Sequence, residues 1–346
     1  MALFFWFCTA LGYRVLRWLG VPLASANALE RGVICAGVGA GVLQYVPLAL
    51  GSLHHLSPSS LRSACALLAL LLLYDAVHVA RGAVRALRSV ELRPSREVLI
   101  WSAVTVALLG IVLVRAVVVA DMGDDDGYHL TAAKRWLASG TVGYLPTFTN
   151  TNAAMGFEML YAIGLAVCDP VGAKLLHYGA GLLLLLTVAL CARRLSNVWA
   201  GLLAISLLLI TSPLNDVALF ASAYVDFGAA LMATIGVLVW LLWRDRPEPR
   251  LLAGLALCVG FAGSFKITAL IVAIIWTPLV ISELYSRGAA RSRAFFQGAS
   301  FFAIACAPVA PWLLRNWLET GNPIYPLAST IFPTRDWTPE HGAVFS

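Results

Sequence analysis

The sequence predicts an all-α polytopic membrane protein, and three observations carry that class. Of 346 residues, 60% are hydrophobic and only 12% are charged, against ~45–50% and ~25% in an ordinary soluble domain. Eighteen acids and 24 bases cannot clothe a water-facing surface around so large an apolar majority, and the mean hydropathy is +0.83. The apolar residues also fall in long unbroken runs, where a barrel would show ~10-residue segments of alternating character. A soluble globular domain and an outer-membrane barrel are both excluded.

Taken in order, apolar runs at 2–23, 31–50, 61–80, 98–120, 171–192, 198–211, 222–243, 251–264, 266–284 and 294–314 predict about ten crossings. The first run, MALFFWFCTALGYRVLRWLG, lacks the basic start of a secretory signal and reads as a retained helix. The clearest run is Val98 to Ala120, 23 residues with one charge, which at ~1.5 Å per residue covers ~34 Å. Runs 198–211 and 251–264 are short for a crossing. The division is 1–97 for the N-terminal transmembrane helices, 98–332 for the core with its large loop at 121–170, and 333–346 for an external tail. The polar, Pro- and Trp-containing close of the chain points to a fragment of a longer protein.

Charge placement orients these helices. Lysine occurs only at 134, 174 and 266, so the basic surplus is arginine. Arginines cluster at 81–96, at Arg193/Arg194, at Arg244/Arg246 and at Arg287/Arg291/Arg293, which the positive-inside rule places on the cytoplasmic side. That assignment is consistent only if 153–167 is no full crossing but a helix lying at the external surface or re-entrant. Loops near 121–170, 212–221, 265 and 315–346 are then external. No basic stripe with interleaved aromatics is present, so no nucleic-acid partner is expected. The seven cysteines, without paired spacing, read as small apolar fillers.

The chemistry-bearing segment is 120–164. Asp121, Asp124, Asp125 and Asp126 crowd the end of the clearest span, where mutual repulsion raises some of their pKa values unless a cation or ligand offsets the charge. The plain alternative is a solvated acidic loop. Tyr128 and His129 follow at once, and 129–138 forms an amphipathic helix carrying Lys134, Arg135 and Trp136. Further polar residues interrupt apolar surroundings: Glu158, Tyr224 with Asp226, Lys266 after a flexible G-F-A-G-S-F stretch, and Arg315 with Asn316. Intramembrane ionisable residues usually face a cavity. Against this, Lys266 could be a snorkelling lysine, Arg315 an interface anchor, and Glu158 and Asp226 helix-packing groups. His129 and His177 are more often structural, and Asp216 reads as a helix cap. A Mg²⁺ or Mn²⁺ ion on Asp124, Asp125 and His129 is left open.

Five pieces of this sequence resemble, in order, the polytopic GT-C glycosyltransferases. They are D-x-x-x-Y-H-L-x-A-x-K-R-W-L with Asn152 and M-G-F-E-M-L-Y, then A-K-L-L-H, A-Y-V-D, G-F-A-G-S-F-K and W-L-L-R-N-W-L-E-T-G-N-P-I-Y-P. The resemblance covers 98 to about 332. It implies a membrane enzyme that takes a sugar from a polyprenyl-phosphate carrier and transfers it, with inversion, to a glycan, lipid or protein acceptor at the external face of the cell membrane. It also implies an acidic base near Asp124, with Asp125 or Asp126 able to exchange roles because the triple Asp departs from the expected one or two acids. The residues meet that chemistry independently: transfer needs a base for the acceptor hydroxyl and positive charge for the departing phosphate. Lys266, Arg315 with Asn316, or Lys134 and Arg135 would supply the second. The substrate-contacting set is Asp121, Tyr128, His129, Lys134, Arg135, Glu158, Tyr224, Asp226, Lys266, Arg315 and Asn316. A transporter or flippase of a lipid-linked sugar would show symmetric halves, and a glycan polymerase or ligase would favour arginine and histidine. The acid cluster favours the transferase.

Overall fold

A computed structural model describes residues 1–88, 95–118, 125–146, 149–211, 221–332 and 334–337. The described residues are helical throughout, without strands. In chain order the helices are α1 (Ala2–Trp18), α2 (Ala28–Leu43), α3 (Tyr45–Ser52), α4 (Pro58–Leu71), α5 (Leu73–Arg88) and α6 (Arg96–Val118). A π-helical turn, Asp125–His129, leads into α7 (Leu130–Ser139), and a 3-10 turn, Thr149–Asn152, precedes α8 (Gly156–Val167). Then come α9 (Pro170–Leu195), α10 (Val198–Thr211), α11 (Asp226–Asp245), α12 (Pro249–Phe265), a 3-10 turn at Ile267–Leu270, α13 (Ile271–Ser286), α14 (Arg291–Cys306) and α15 (Ala310–Thr320).

Local chemistry sets several of these boundaries. Asn27 and Glu30 form a reciprocal cap at the start of α2, and Ser57 with Ser60 does the same for α4, where Pro58 takes the first helical position. Asp169 caps α9 by accepting from the Gly172 amide at 3.0 Å, with Pro170 next in line.

Five described helical segments are long and apolar enough to cross a bilayer: 28–52, 96–117, 170–195, 226–245 and 267–286. Two bent pairs, α4 with α5 (63°) and α14 with α15 (59°), raise the number to seven if each is one span. The expected ten is therefore not reached by length and composition among the described residues, because some apolar runs are split and others, such as α10 and α12, stop short. Long apolar helices nonetheless make this an α-helical membrane protein. Helix α6 shows it most plainly: only 6% of its apolar window is buried, and a helix apolar on all sides that meets little protein must meet lipid. It is tied to α9 by the Tyr178 hydroxyl, which donates to the Leu109 carbonyl at 2.9 Å.

The run expected at 61–80 is corrected by the break at Leu72. Asp75, buried at 2%, accepts from Arg14 Nε at 2.7 Å, Trp6 Nε1 donates to the Ala76 carbonyl, and Tyr13 stacks on His78 at 5.0 Å. These contacts tie the start of α5 to α1. Arg81, Arg85 and Arg88 then lie on the exposed remainder of α5, an amphipathic arrangement that suits a bilayer surface better than its interior.

Two ends of the bundle differ in chemistry. At one, Arg194 bonds Glu30 (3.1 Å), Asp245 and the Ser25 carbonyl, while Arg287 lies over the Trp243 ring at 4.9 Å and Arg250 reaches Gly20. The arginine clusters at 193–194, 244–246 and 287–293 thus share one face. At the other end, the Leu56 amide donates to the Gly140 carbonyl (3.0 Å), Arg62 to Ala166 (2.8 Å) and Tyr45 to Pro308 (2.5 Å). That end gathers 52–57, 125–146, 149–168, 221–226, 264–270, 307–332 and 334–337.

Helix α8, expected at the external surface or re-entrant, is enclosed by other helices. Nine of its twelve residues are buried, packed among α3, α4, α7, α9 and α12. Its first residue faces a buried polar knot in which Gln44 Nε2 donates to Ser264 Oγ (2.8 Å) and to the Gly41 carbonyl (2.7 Å), while Gln44 Oε1 accepts from Trp312 Nε1 (3.2 Å). Gln44→Leu removes the acceptor of a fully buried indole N–H, so we expect it to lower stability by about 1–3 kcal/mol. Unfolding in detergent measures this, with Gln44 on the lipid-free side of α2 leaving no bilayer term to compensate. Of the cysteines, four are buried and two half-buried, but Cys168 is exposed and is no core filler.

Candidate functional site

The polar residues singled out around 128–266 converge at the end opposite the arginines, and the order of elements explains how. The turn Asp125–His129 hands His129 to the head of α7. On α7 the residues Leu130, Ala132, Ala133 and Trp136 are buried, which draws the turn down onto the bundle. Helix α8, held from below, then presents Glu158 from its first turn. His129 Nδ1 and Glu158 Oε1 meet at 2.7 Å, with side chains only 4% and 1% exposed. The second oxygen, Glu158 Oε2, is buried and has no hydrogen-bond partner among the described residues.

Aromatic rings enclose this pair. Tyr128 packs beside the His129 ring at 4.0 Å and Tyr224 meets it edge-on at 6.0 Å. The Tyr161 hydroxyl donates to the Tyr224 carbonyl and so fixes the segment before α11. Beneath, Phe157 touches Tyr161, His177 and Phe265 edge-to-face at 5.2, 6.0 and 5.2 Å. His177 stacks on Phe227 at 4.7 Å, and its Nε2 accepts from the Phe227 amide at 3.3 Å, which is the structural role expected of it.

Phe265 and Tyr224 lead directly to the second charged pair. Lys266 Nζ and Asp226 Oδ1 are 2.6 Å apart, and their side chains are 42% and 43% exposed. Lys266 is neither in α12 nor in the turn after it but in the extended link between them, and Asp226 is the first residue of α11 rather than one or two turns inside a span. Its hydrogen bond is to a lysine on the link after α12. Because the pair is half open to solvent, Lys266→Met is expected to change the unfolding midpoint little, by less than about 1 kcal/mol in stability. A large loss of function in a protein that melts normally would then report on Lys266 as a working group.

A family model described as a domain of unknown function, DUF8201, matches residues 31–345. The chain belongs to the DUF8201 family. No curated protein and no solved structure matches it. The match contains every residue of the two charged pairs, and leaves α1 outside it.

In this DUF8201 member Arg315 and Asn316 stand in a separate group. Arg315 Nη2 donates to the Gly143 carbonyl at 2.8 Å, the guanidinium lies 5.9 Å from the Trp136 ring, and Nη1 reaches Asn316 Oδ1 at 3.3 Å. Trp136 Nε1 donates to the same Gly143 carbonyl at 3.2 Å. Arg315 is thus a clamp between α15, α7 and the loop after it, with its Nε buried and without a hydrogen-bond partner among the described residues, rather than a headgroup anchor. Asn316 is fully buried and donates to the Pro323 carbonyl at 3.4 Å. Among the described residues no hydrogen bond or ion pair joins Arg315 to Lys266 or Glu158. Lys134 and Arg135 are exposed on the outer side of α7.

Asp121 and Asp124 lie outside the described residues, as do the side chains of Asp125 and Asp126; Asp216 is outside them too. Among the described residues no group of three His, Cys, Asp or Glu side chains could hold a metal. For the open Mg²⁺ or Mn²⁺ site on Asp124, Asp125 and His129, Nδ1 of His129 is taken by Glu158, so a ligand role there would fall to Nε2. Sequence inspection missed Gln44, Ser264, Trp312 and Tyr161. Gln44 carried a signal, as the single uncharged amide inside the run 31–50; Tyr161, Ser264 and Trp312 fall within the quoted motifs but look there like ordinary neighbours of the charged residues.

Proposed function

We propose that this protein is an integral-membrane glycosyltransferase that moves a sugar from a polyprenyl-phosphate carrier to an acceptor at the external face of the cell membrane. The observation that carries the reading is the convergence of Tyr128, His129, Glu158, Tyr224, Asp226 and Lys266 at the bundle end opposite the arginines; in sequence, Asp124–Asp126 come just before Tyr128 and His129. The five motifs shared with GT-C enzymes add support, and the positive-inside rule makes the arginine end cytoplasmic.

In the reaction, one of Asp124, Asp125 and Asp126 takes the proton of the acceptor hydroxyl. The acceptor oxygen attacks the anomeric carbon from the side opposite the phosphate, the new glycosidic bond forms, and the bond to the phosphate oxygen breaks with its electron pair. Polyprenyl phosphate leaves with inversion at the sugar. Lys266 offsets the charge developing on that phosphate; binding it would displace Asp226, an exchange made easy by the exposure of the pair. The Glu158–His129 contact holds the acid-rich turn onto the bundle and fixes the His129 ring.

The test uses purified protein in vesicles with labelled polyprenyl-phosphate hexoses and pentoses and a cell-envelope extract as acceptor. Release of free polyprenyl phosphate with a new inverted glycoside supports the transferase. Movement of intact sugar-lipid across the vesicle without release would instead establish a flippase and end the proposal.

A further inference from the structure

The arginine end holds a second feature, distinct from the polar cluster and independent of the transferase reading. Between α11, α12, α13 and α14 lies an open cavity of about 280 Å³. Its walls include Trp243, Pro247, Pro249, Arg287, Arg293 and Gln297. Arg287 is held in place: Nε donates to Glu283 Oε1 at 2.9 Å, Nη2 to the Arg244 carbonyl at 3.3 Å, and the guanidinium covers the Trp243 ring. Arg293 is the opposite case, an exposed arginine with no hydrogen bond or ion pair among the described residues. Gln297 follows it by four positions, so both side chains stand on one face of α14 and line the same cavity.

The surroundings are rich in positive charge. Residues 243–250 and 283–293 carry six arginines against three carboxylates, and two of those carboxylates, Asp245 and Glu283, are already engaged by Arg194 and Arg287. A fixed cation, an uncommitted cation and an amide donor around a small cavity match the oxygens of a phosphate, which guanidinium groups bind through paired N–H donors. Phe296, 68% exposed, follows Arg293 by three positions and directly precedes Gln297 on α14, so it offers acyl chains a surface on the helix flank next to the arginine. Basic pockets between transmembrane helices at the cytoplasmic side bind the headgroups of anionic lipids.

We propose that this cavity seats the phosphate of an anionic phospholipid from the leaflet at the arginine end. A soluble phosphate shares the anion chemistry, but the exposed Phe296 on the flank of Arg293 favours the lipid.

The full chain in vesicles of phosphatidylcholine, with and without phosphatidylglycerol, tests this through the unfolding midpoint and through lipid retained in native mass spectrometry. Phosphatidylglycerol is expected to raise the midpoint and to remain bound. Arg293→Gln should weaken that binding about fivefold, the equivalent of the ~1 kcal/mol that one basic residue contributes near an anionic surface, and Arg293→Glu should abolish it. Gln297→Leu, which changes no charge, should reduce retention without altering the midpoint in phosphatidylcholine. The proposal is overturned if Arg293→Glu retains phosphatidylglycerol as the wild type does, if phosphatidylcholine gives the same shift, or if inorganic phosphate alone reproduces it.

Discussion

Replacing Asp124, Asp125 and Asp126 together by asparagine is expected to lower sugar transfer by ~10²–10⁴-fold, the usual contribution of a positioned general base. Single replacements should lose less. Three carboxylates in succession can exchange the role, and removing one relieves the repulsion that raises the pKa of the others, so a neighbour becomes a weaker but available base. Amides keep the size and polarity of the acids, so the fold should survive, as judged by an unchanged unfolding midpoint. The measurement is the initial rate of polyprenyl-phosphate release at saturating donor. Full activity in the triple variant would remove the aspartates from the mechanism and shift attention to Glu158.

Gly39→Leu carries the largest effect on stability. Helices α1 and α2 cross with their backbones in contact: a Cβ on Gly39 would stand 1.8 Å from the Cys8 carbonyl oxygen, and one on Gly12 would stand 1.9 Å from that of Cys35. The obstructing atoms are main chain and cannot rotate aside. Small residues permit this kind of approach in membranes, where dispersion contacts rather than water exclusion hold helices together. Leucine must therefore push α1 away from α2, and we expect a loss of about 3 kcal/mol, at the upper end for overpacking. Gly32 provides the control, because a Cβ there meets nothing within 4 Å. Gly32→Leu should melt like the wild type or slightly higher, since glycine disfavours a helix interior. Equal midpoints for the two variants would refute the close crossing.

Sequence patterns that act locally were readable. The run 98–120 became Arg96–Val118, 171–192 became Pro170–Leu195, and 222–243 became Asp226–Asp245, because length and apolarity alone decide such helices. The kink near 307–309 was also within reach, since Pro308 and Pro311 each lack an amide donor and disfavour a continuous helix. The break at Leu72 was not: neither proline nor glycine marks it, and the tether from Asp75 to Arg14, 61 positions away, exists only in three dimensions. The candidate site divides the same way. Glu158, Asp226 and Lys266 stood out as charges in apolar surroundings, yet their partners could not be read, because His129 and Glu158 are 29 residues apart and Asp226 and Lys266 are 40 apart. Arg315 was grouped with the phosphate-binding candidates by charge and position, whereas its bonds to Gly143 and Trp136 depend on the packing of α7.

The polar knot around Gln44 sets a schedule for biosynthesis. Gln44 enters the membrane early, but Ser264 follows 220 residues later and Trp312 follows 268 residues later. At ~5–20 residues per second, the amide waits on the order of ten to fifty seconds before its last hydrogen bond can close. Until then the Gln44 amide has only its local bond to the Gly41 carbonyl within an apolar span, and α8, whose first glycine abuts Gln44 and Ser264, has no finished seat. The platform that carries Glu158 is thus completed only when α15 arrives, so a nascent chain stalled before residue 312 would hold its charged pairs on an unlocked frame.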